Sequence, residues 1–233
     1  MLLSKILVES GAVLILVGNS TCSINLILQG VTKDLGAIKL VSATKKIVYF
    51  DLPGPQNTDE TYKAAKERAK ELGIKDIVIA SSSGETGVKA SEFFKGFNLV
   101  IVSHAAGFRG TGTQEMSEEA RKKITANGAK VLTTGHALSG IERGIKTVIP
   151  GVMPLELVAQ TLRMFGQGTK VAVEITVMAA DAGLIPGDRD IITISGTGKG
   201  SDTAYVIKPA NSNNFFDLFV KEVIGKPLCA KAG

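Results

Sequence analysis

Three serines, two glycines and a threonine crowd into Ser81-Ser82-Ser83-Gly84-Glu85-Thr86-Gly87, directly after an apolar β-branched run and directly before a helical one. A turn that opens a helix gathers free backbone N–H groups and the positive end of the helix dipole, and hydroxyls add further donors; this is the set a phosphate requires. Gly84 would let the backbone approach such a ligand closely, with Ser81, Ser82, Ser83 and Thr86 donating alongside the amides. Glu85 fits worst, because its carboxylate repels a phosphate unless it is turned away. An ordinary Ser/Gly turn capping a helix is the plain alternative. The chain has no GxxxxGK[ST] string, so this is not a P-loop.

The chain has two histidines, His104 in SHAAGFRG and His136 in GHALSG, each following an apolar run. If adjacent strands carry them, both imidazoles stand over one crevice with Arg109, where a group titrating near neutrality serves as acid, base or phosphate donor. Two hydrogen-bonded turn histidines are the alternative. Arg143, close behind His136, is either a second anion clamp or a surface arginine. Two histidines with Asp181 or Glu174 at unknown distance make a weak ligand set, so no metal site is expected. The loop Ser195 to Asp202 holds three glycines and one lysine at a strand end, but β-prone residues follow it, so the dinucleotide fingerprint fails; a flap over a ligand and a plain hairpin loop both remain open. Asp181 ends a helical run, where a carboxylate opposes the dipole, and so needs a partner such as a backbone amide or a ligand hydroxyl.

Elements that would hold these residues alternate regularly from Lys45 onward. Lys46 to Asp51, Asp76 to Ser81, Asn98 to His104, Lys130 to Gly135 and Asp190 to Gly196 read as buried strands, and Thr203 to Ala210 as a returning one. Helices are expected from Asn57 to Leu72, capped by Asn57 or Thr58 and stopped at Gly73, from Thr86 to Lys95, from Ser117 to Asn127, and from Pro154 to about Ala182, with Gly166 and Gly168 as break points. The fold class is therefore α/β: a mostly parallel sheet with helices on both faces and a C-terminal β extension. Ligands of such sheets bind at the carboxyl ends of the strands, where the serine turn and both histidines fall. Phe215, Phe216, Leu218 and Phe219 are expected to pack into the core.

Composition narrows the function classes. The 27 Lys plus Arg and 22 Asp plus Glu are scattered, aromatics make up 5% and Trp is absent, so nucleic acid is not an expected partner. Two cysteines, Cys22 and Cys229, without CxxC spacing, point to a reducing, cytoplasmic setting. The stretch from Ser10 to Gly30 carries no charge, yet Asn19, Ser20, Thr21, Ser23, Asn25 and Gln29 interrupt it, so no membrane span is expected. It reads as an added strand and helix, or as a segment upstream of the domain. The second reading makes residues 1–43 an N-terminal extension and 44–228 the domain.

The run NTDETYKAAKERAKELGIKDIVIASSSGETG resembles the C-terminal α/β domain of pyruvate kinases. There the equivalent turn holds a phosphate of an allosteric sugar bisphosphate, which supports the phosphate role of the serine turn. It implies no kinase chemistry, since 233 residues leave no space for the catalytic barrel. Over about Lys45 to Pro227, the strings SGETG, HAAGFR, GHALSG, TLRMFGQG, MAADAGLIP and DTAYVIKPA resemble archaeal stand-alone proteins of pyruvate kinase α/β domain-like type. That resemblance implies bound flavin mononucleotide (FMN). Its phosphate would lie on Ser81, Ser82, Ser83, Gly84, Glu85 and Thr86, with His104, Gly107, Phe108, Arg109, His136 and Ser139 in the remaining matched strings completing the candidate set. His104, His136 and Arg109 are the candidates for chemistry, with no reaction implied. The alternative is a non-catalytic module that senses a sugar phosphate. A phosphorylated small molecule is the expected partner, and self-association is left open.

Overall fold

The computed structural model describes residues 44–230 in full and, before them, four short strands. Two compact units result, Met1–Lys45 and Lys46–Gly233. In the first, β1 (Lys5–Val8) pairs antiparallel with β2 (Ala12–Ile15), and β3 (Asn25–Leu28) with β4 (Val31–Asp34). Two of these strands fall inside the uncharged stretch; Cys22 and the other residues between them lie outside the described residues. No helix among the described residues is long and apolar enough to cross a membrane.

The second unit is a seven-stranded sheet of β5 (Val48–Phe50), β6 (Asp76–Ala80), β7 (Asn98–Ser103), β8 (Lys130–Thr133), β9 (Ile191–Ser195), β10 (Thr203–Lys208) and β11 (Phe219–Pro227), in the order β5-β11-β10-β9-β6-β7-β8. From β9 through β6 and β7 to β8 all pairings are parallel; β10 runs antiparallel to both β9 and β11, and β5 pairs parallel to β11. Helices α1 (Thr58–Leu72), α2 (Glu85–Phe93) and α3 (Glu118–Ala126) cover one face. There Tyr62, Ala90 and Ile124 meet Ile77, Ile79, Ile101 and Ile194. Successive strand residues point to opposite faces, so Val78, Val100 and Ile191 face the other side and meet Ala172, Ile175 and Met178 of α6 (Gln167–Asp181). Because both faces are covered, the central strands are apolar at nearly every position, which made them legible as buried parallel strands.

Local signals set the helix ends. Gly73 closes α1 in the left-handed conformation (φ 68°), and the Ser117 hydroxyl accepts from the Ala120 N–H to start α3. The long run expected after Pro154 is two helices, α5 (Pro154–Arg163) and α6, because Gly166 takes φ 129° between them. A further helix, α4 (Gly140–Val148), was not anticipated. The expected core role of the C-terminal aromatics needs correction. Phe215 and Leu218 are half-buried against Leu138, Ala159 and Val173, but Phe216 and Phe219, on the other side of the 3-10 turn Ser212–Asp217 and the strand start that follows it, are 93% and 62% exposed.

The glycine loop between β9 and β10 is a packed hairpin. Asp202 is fully buried and accepts from the N–H groups of Gly54 and Thr197, both at 3.1 Å. The Ser201 N–H donates to Thr58 Oγ1 at 3.0 Å, and a Cβ on Gly200 would lie 2.2 Å from Pro55 Cα. These ties set the flap reading aside.

Candidate functional site

β6, β7 and β8 end side by side, and the turns that leave them bring the serine run, His104 and His136 together. After β6 the chain turns through Ser81–Gly84 into α2. Gly84 caps α2 at φ 95°, and a Cβ there would lie 2.5 Å from Ala120 Cβ of α3, so both conformation and close packing require glycine. Ser81 is buried and braces the turn: its Oγ accepts from the Gly87 N–H at 3.0 Å and from the Thr86 hydroxyl at 2.9 Å. The Val88 N–H returns to the Gly84 carbonyl at 2.8 Å. The N–H groups of Gly84 and Thr86 meet no acceptor among the described residues, as the first turn of a helix dictates. Ser83 and Glu85 are exposed, and Ser82 is half-buried. The carboxylate that fitted worst therefore stands at the surface.

His104 leaves β7 and is held at both ring nitrogens. Its Nδ1 lies 2.5 Å from Glu115 Oε2, and its Nε2 lies 3.1 Å from Ser82 Oγ. With Glu115 accepting the Nδ1 proton, Nε2 is left to accept from the Ser82 hydroxyl. A carboxylate, an imidazole and a hydroxyl in series can hold or pass a proton. Burial pushes the Glu115 carboxyl up, but the bonds and charges of His104 and Arg109 outweigh it and leave the group below its ordinary value. Arg109 is exposed and reaches Glu115 at 3.4 Å. It therefore supports the relay from outside and does not stand free over the crevice.

His136 follows β8, its ring centroid 5.3 Å from that of His104. Phe108 packs on both rings, at 4.2 Å from His104 and 4.8 Å from His136, and the Arg143 guanidinium lies 4.6 Å over the Phe108 ring. Gly107 (φ 80°) aims this loop, its N–H donating to the Thr113 carbonyl at 2.8 Å. His136 Nε2 accepts from the Ala105 N–H at 3.3 Å, which calls for the neutral ring. Burial lowers the His136 pKa, with the charges of His104, Lys170 and Arg143 adding to the effect and Glu174 opposing it. Ser139 starts α4 beyond this cluster. Asp181 stands apart from the site: it accepts from the Ser212 N–H at 2.9 Å and from Asn211 at 3.2 Å, a backbone amide among its partners as anticipated. Among the described residues no three His, Cys, Asp or Glu gather as metal ligands.

Sequence reasoning missed Glu115 and the pair Lys170–Glu174. Glu115 follows His104 by eleven residues, in a glycine-rich loop with no periodicity to mark it. Lys170 and Glu174 look like an exposed i,i+4 pair but are each only 7% exposed; Glu174 also accepts from the Leu138 N–H at 3.1 Å. That contact anchors the loop carrying His136 to α6.

The family described as pyruvate kinase, alpha/beta domain matches residues 59–207. Two solved structures are similar. Pyruvate kinase of Cryptosporidium parvum in complex with ADP is 12% identical over 66% of this chain and 24% of that chain, with a TM-score of 0.35. A second pyruvate kinase structure from Cryptosporidium parvum is 11% identical over 64% of this chain and 22% of that chain, with a TM-score of 0.32. The chain thus spans about a quarter of the length of these kinases.

Proposed function

The chain belongs to the pyruvate kinase alpha/beta domain family, and from that premise we propose that it binds a phosphate-bearing small molecule, FMN foremost, with the phosphate on the turn from Ser82 to Thr86. The observation that carries this reading is the pairing of donors with an aromatic platform. Free N–H groups of Gly84 and Thr86, the Ser83 hydroxyl and the α2 dipole offer an anion cradle. One hydrogen bond from Ser82, at 3.1 Å, leads to His104 and its neighbours Phe108 and His136. A flavin nucleotide has a phosphate at one end and a flat ring system at the other, so these residues fit the group in kind and order.

When bound, a flavin supplies two-electron redox chemistry. The chain's own part is to orient and to manage protons: the cradle fixes the phosphate, Phe108 and the imidazoles offer aromatic surface, and Glu115 keeps a proton on His104 Nδ1 so that Nε2 faces the ligand side. Glu85 is exposed and pairs with no cation among the described residues, so its carboxylate stands in water, where it opposes a phosphate least.

Comparing FMN with riboflavin, which lacks the phosphate, tests the reading directly. Titration of the purified full chain, followed by flavin fluorescence, should show FMN binding well above riboflavin. Ser83→Ala should weaken FMN by about tenfold, the worth of one charge-assisted hydrogen bond, and leave riboflavin unchanged. Equal affinity for the two flavins refutes the phosphate cradle. Binding of fructose 1,6-bisphosphate with no response to either flavin would replace FMN by the sugar-phosphate sensor.

A further inference from the structure

Between α4, α5 and the start of α6 lies a cavity of about 180 Å³ that the phosphate turn does not touch. It is lined by the apolar Leu138, Met153 and Ala159 and by the cations Arg143, Arg163 and Lys170. Its carboxylates are already engaged. Glu142 accepts from the Leu155 and Glu156 N–H groups at 3.1 and 3.0 Å, where it caps α5. Glu156 pairs with Lys146 at 2.5 Å, and Glu174 holds Lys170 and the Leu138 N–H. Arg143 and Arg163 have no carboxylate partner among the described residues. Arg163 donates only its Nε, to Gln167 at 2.8 Å, and Arg143 rests on the Phe108 ring. Two guanidinium groups thus line the cavity together with a buried ammonium and present donors that no carboxylate uses among the described residues.

We propose that this cavity is a second ligand subsite, which takes a small organic anion by its carboxylate or phosphate group between Arg143 and Arg163, with its carbon skeleton against Leu138, Met153 and Ala159. Guanidinium forks match the planar carboxylate and the phosphate alike, and an anion there would compensate cations that now have none. The electrostatics agree: burial lowers the Lys170 pKa, Glu174 opposes this, and the charges of Arg163 and Arg143 lower it further, a crowding that a bound anion relieves. Arg143 links the subsite to the aromatic cluster through Phe108, so the anion would sit beside the molecule held on the serine turn. The subsite stands on its own lining; only its place beside a phosphate-held molecule rests on the proposed phosphate-ligand function.

Calorimetric titration of the full chain with lactate, succinate and glycerol 3-phosphate tests this, with lactamide as the neutral control. Binding of at least one anion but not of lactamide is expected. Arg163→Gln should weaken it about tenfold or more, Arg163→Lys less, and Ser83→Ala not at all. Response to the two acids alone assigns the carboxylate class, and response to glycerol 3-phosphate alone assigns the phosphate class. The same Arg163→Gln protein should keep its affinity for FMN and the wild-type circular dichroism. The subsite is overturned if no anion binds, if lactamide binds equally, or if Ser83→Ala abolishes anion binding while Arg163→Gln leaves it. Loss of FMN binding in Ser83→Ala with anion binding intact would separate the two sites.

Discussion

Glu174→Leu is the substitution whose cost can be worked out most directly. The carboxylate is the only partner of the Lys170 ammonium among the described residues, both side chains are 7% exposed, and its second oxygen holds the Leu138 N–H. Removing one member of a buried pair costs about 3–5 kcal/mol, and a stranded N–H costs about 1–3 kcal/mol. The two penalties do not simply add, because Lys170 can shed its proton and cap the first. We expect a loss of about 4 kcal/mol at pH 7, which lowers Tm by roughly 8–16 °C for a domain of this size. Lys170→Met/Glu174→Leu removes both charges at similar volume and leaves only the Leu138 N–H unmet, so it should lie about 1–2 kcal/mol below wild type. The pH dependence has a fixed sign. An unpaired buried lysine has its folded pKa depressed further, so the stability of the single variant is full only above the unfolded lysine value and falls as pH drops. It should therefore recover as pH rises from 7 towards 10, and the double variant should not. Urea unfolding at several pH values measures all of this. A double variant no more stable than the single, or a single loss below about 1 kcal/mol, would mean that the pair is solvated and that α6 does not anchor the His136 loop electrostatically.

Three further outcomes are expected. Proton NMR of the two histidines should show His136 titrating below its ordinary value of 6.5, so that its contribution to stability is full above that pH and falls away as pH drops towards the folded pKa; titration at or above 6.5 contradicts the buried neutral ring. Gly200→Ala (φ 74°, Cβ 2.2 Å from Pro55 Cα) should cost about 2–4 kcal/mol, whereas Gly198→Ala (φ 79°, open space) should cost only the left-handed penalty of about 1–2 kcal/mol; equal losses in thermal unfolding would show that the hairpin is not packed on Pro55. The Tyr62 phenol is pushed up to about 12 by burial, against a lowering bond from Ser201 and with Asp59 adding, so at least one of the three tyrosines should stay protonated past pH 11 in ultraviolet titration of folded protein; the stability it contributes is full below its ordinary value of 10 and is lost as pH rises from there through about 12.

Strands that are covered on both faces declare themselves by composition, which is why β6, β7 and β9 were legible within a residue or two. Helix ends were legible where a single residue forces them, as at Gly73 and Ser117. The helix α4 was missed although Ile141, Ile145 and Val148 stand at i, i+4 and i+7; Gly140 and Gly144 obscure the pattern, and the stripe is not a core stripe, Ile141 and Val148 being 84% and 81% exposed. Phe216 failed in the same way. Hydrophobicity predicts a core only where another element arrives to cover it, and that depends on topology, not on the residue.

The site divides along the same line. The serine turn and both histidines could be placed because each directly follows a strand, and a parallel sheet delivers all such residues to one edge. What tunes them arrives from further away. Glu115 reaches His104 across a loop, and Glu174 reaches the His136 loop from a helix on one face of the sheet, through a backbone N–H that no side-chain motif encodes. An i,i+4 Lys–Glu pair is the commonest pattern of a solvated helix, and burial alone turns it into the anchor of the second histidine and the floor of a cation-lined cavity. The candidate residues of the site were thus written in the order of the chain. The charges that decide how those residues behave became visible only once α4, α5 and α6 had closed around them.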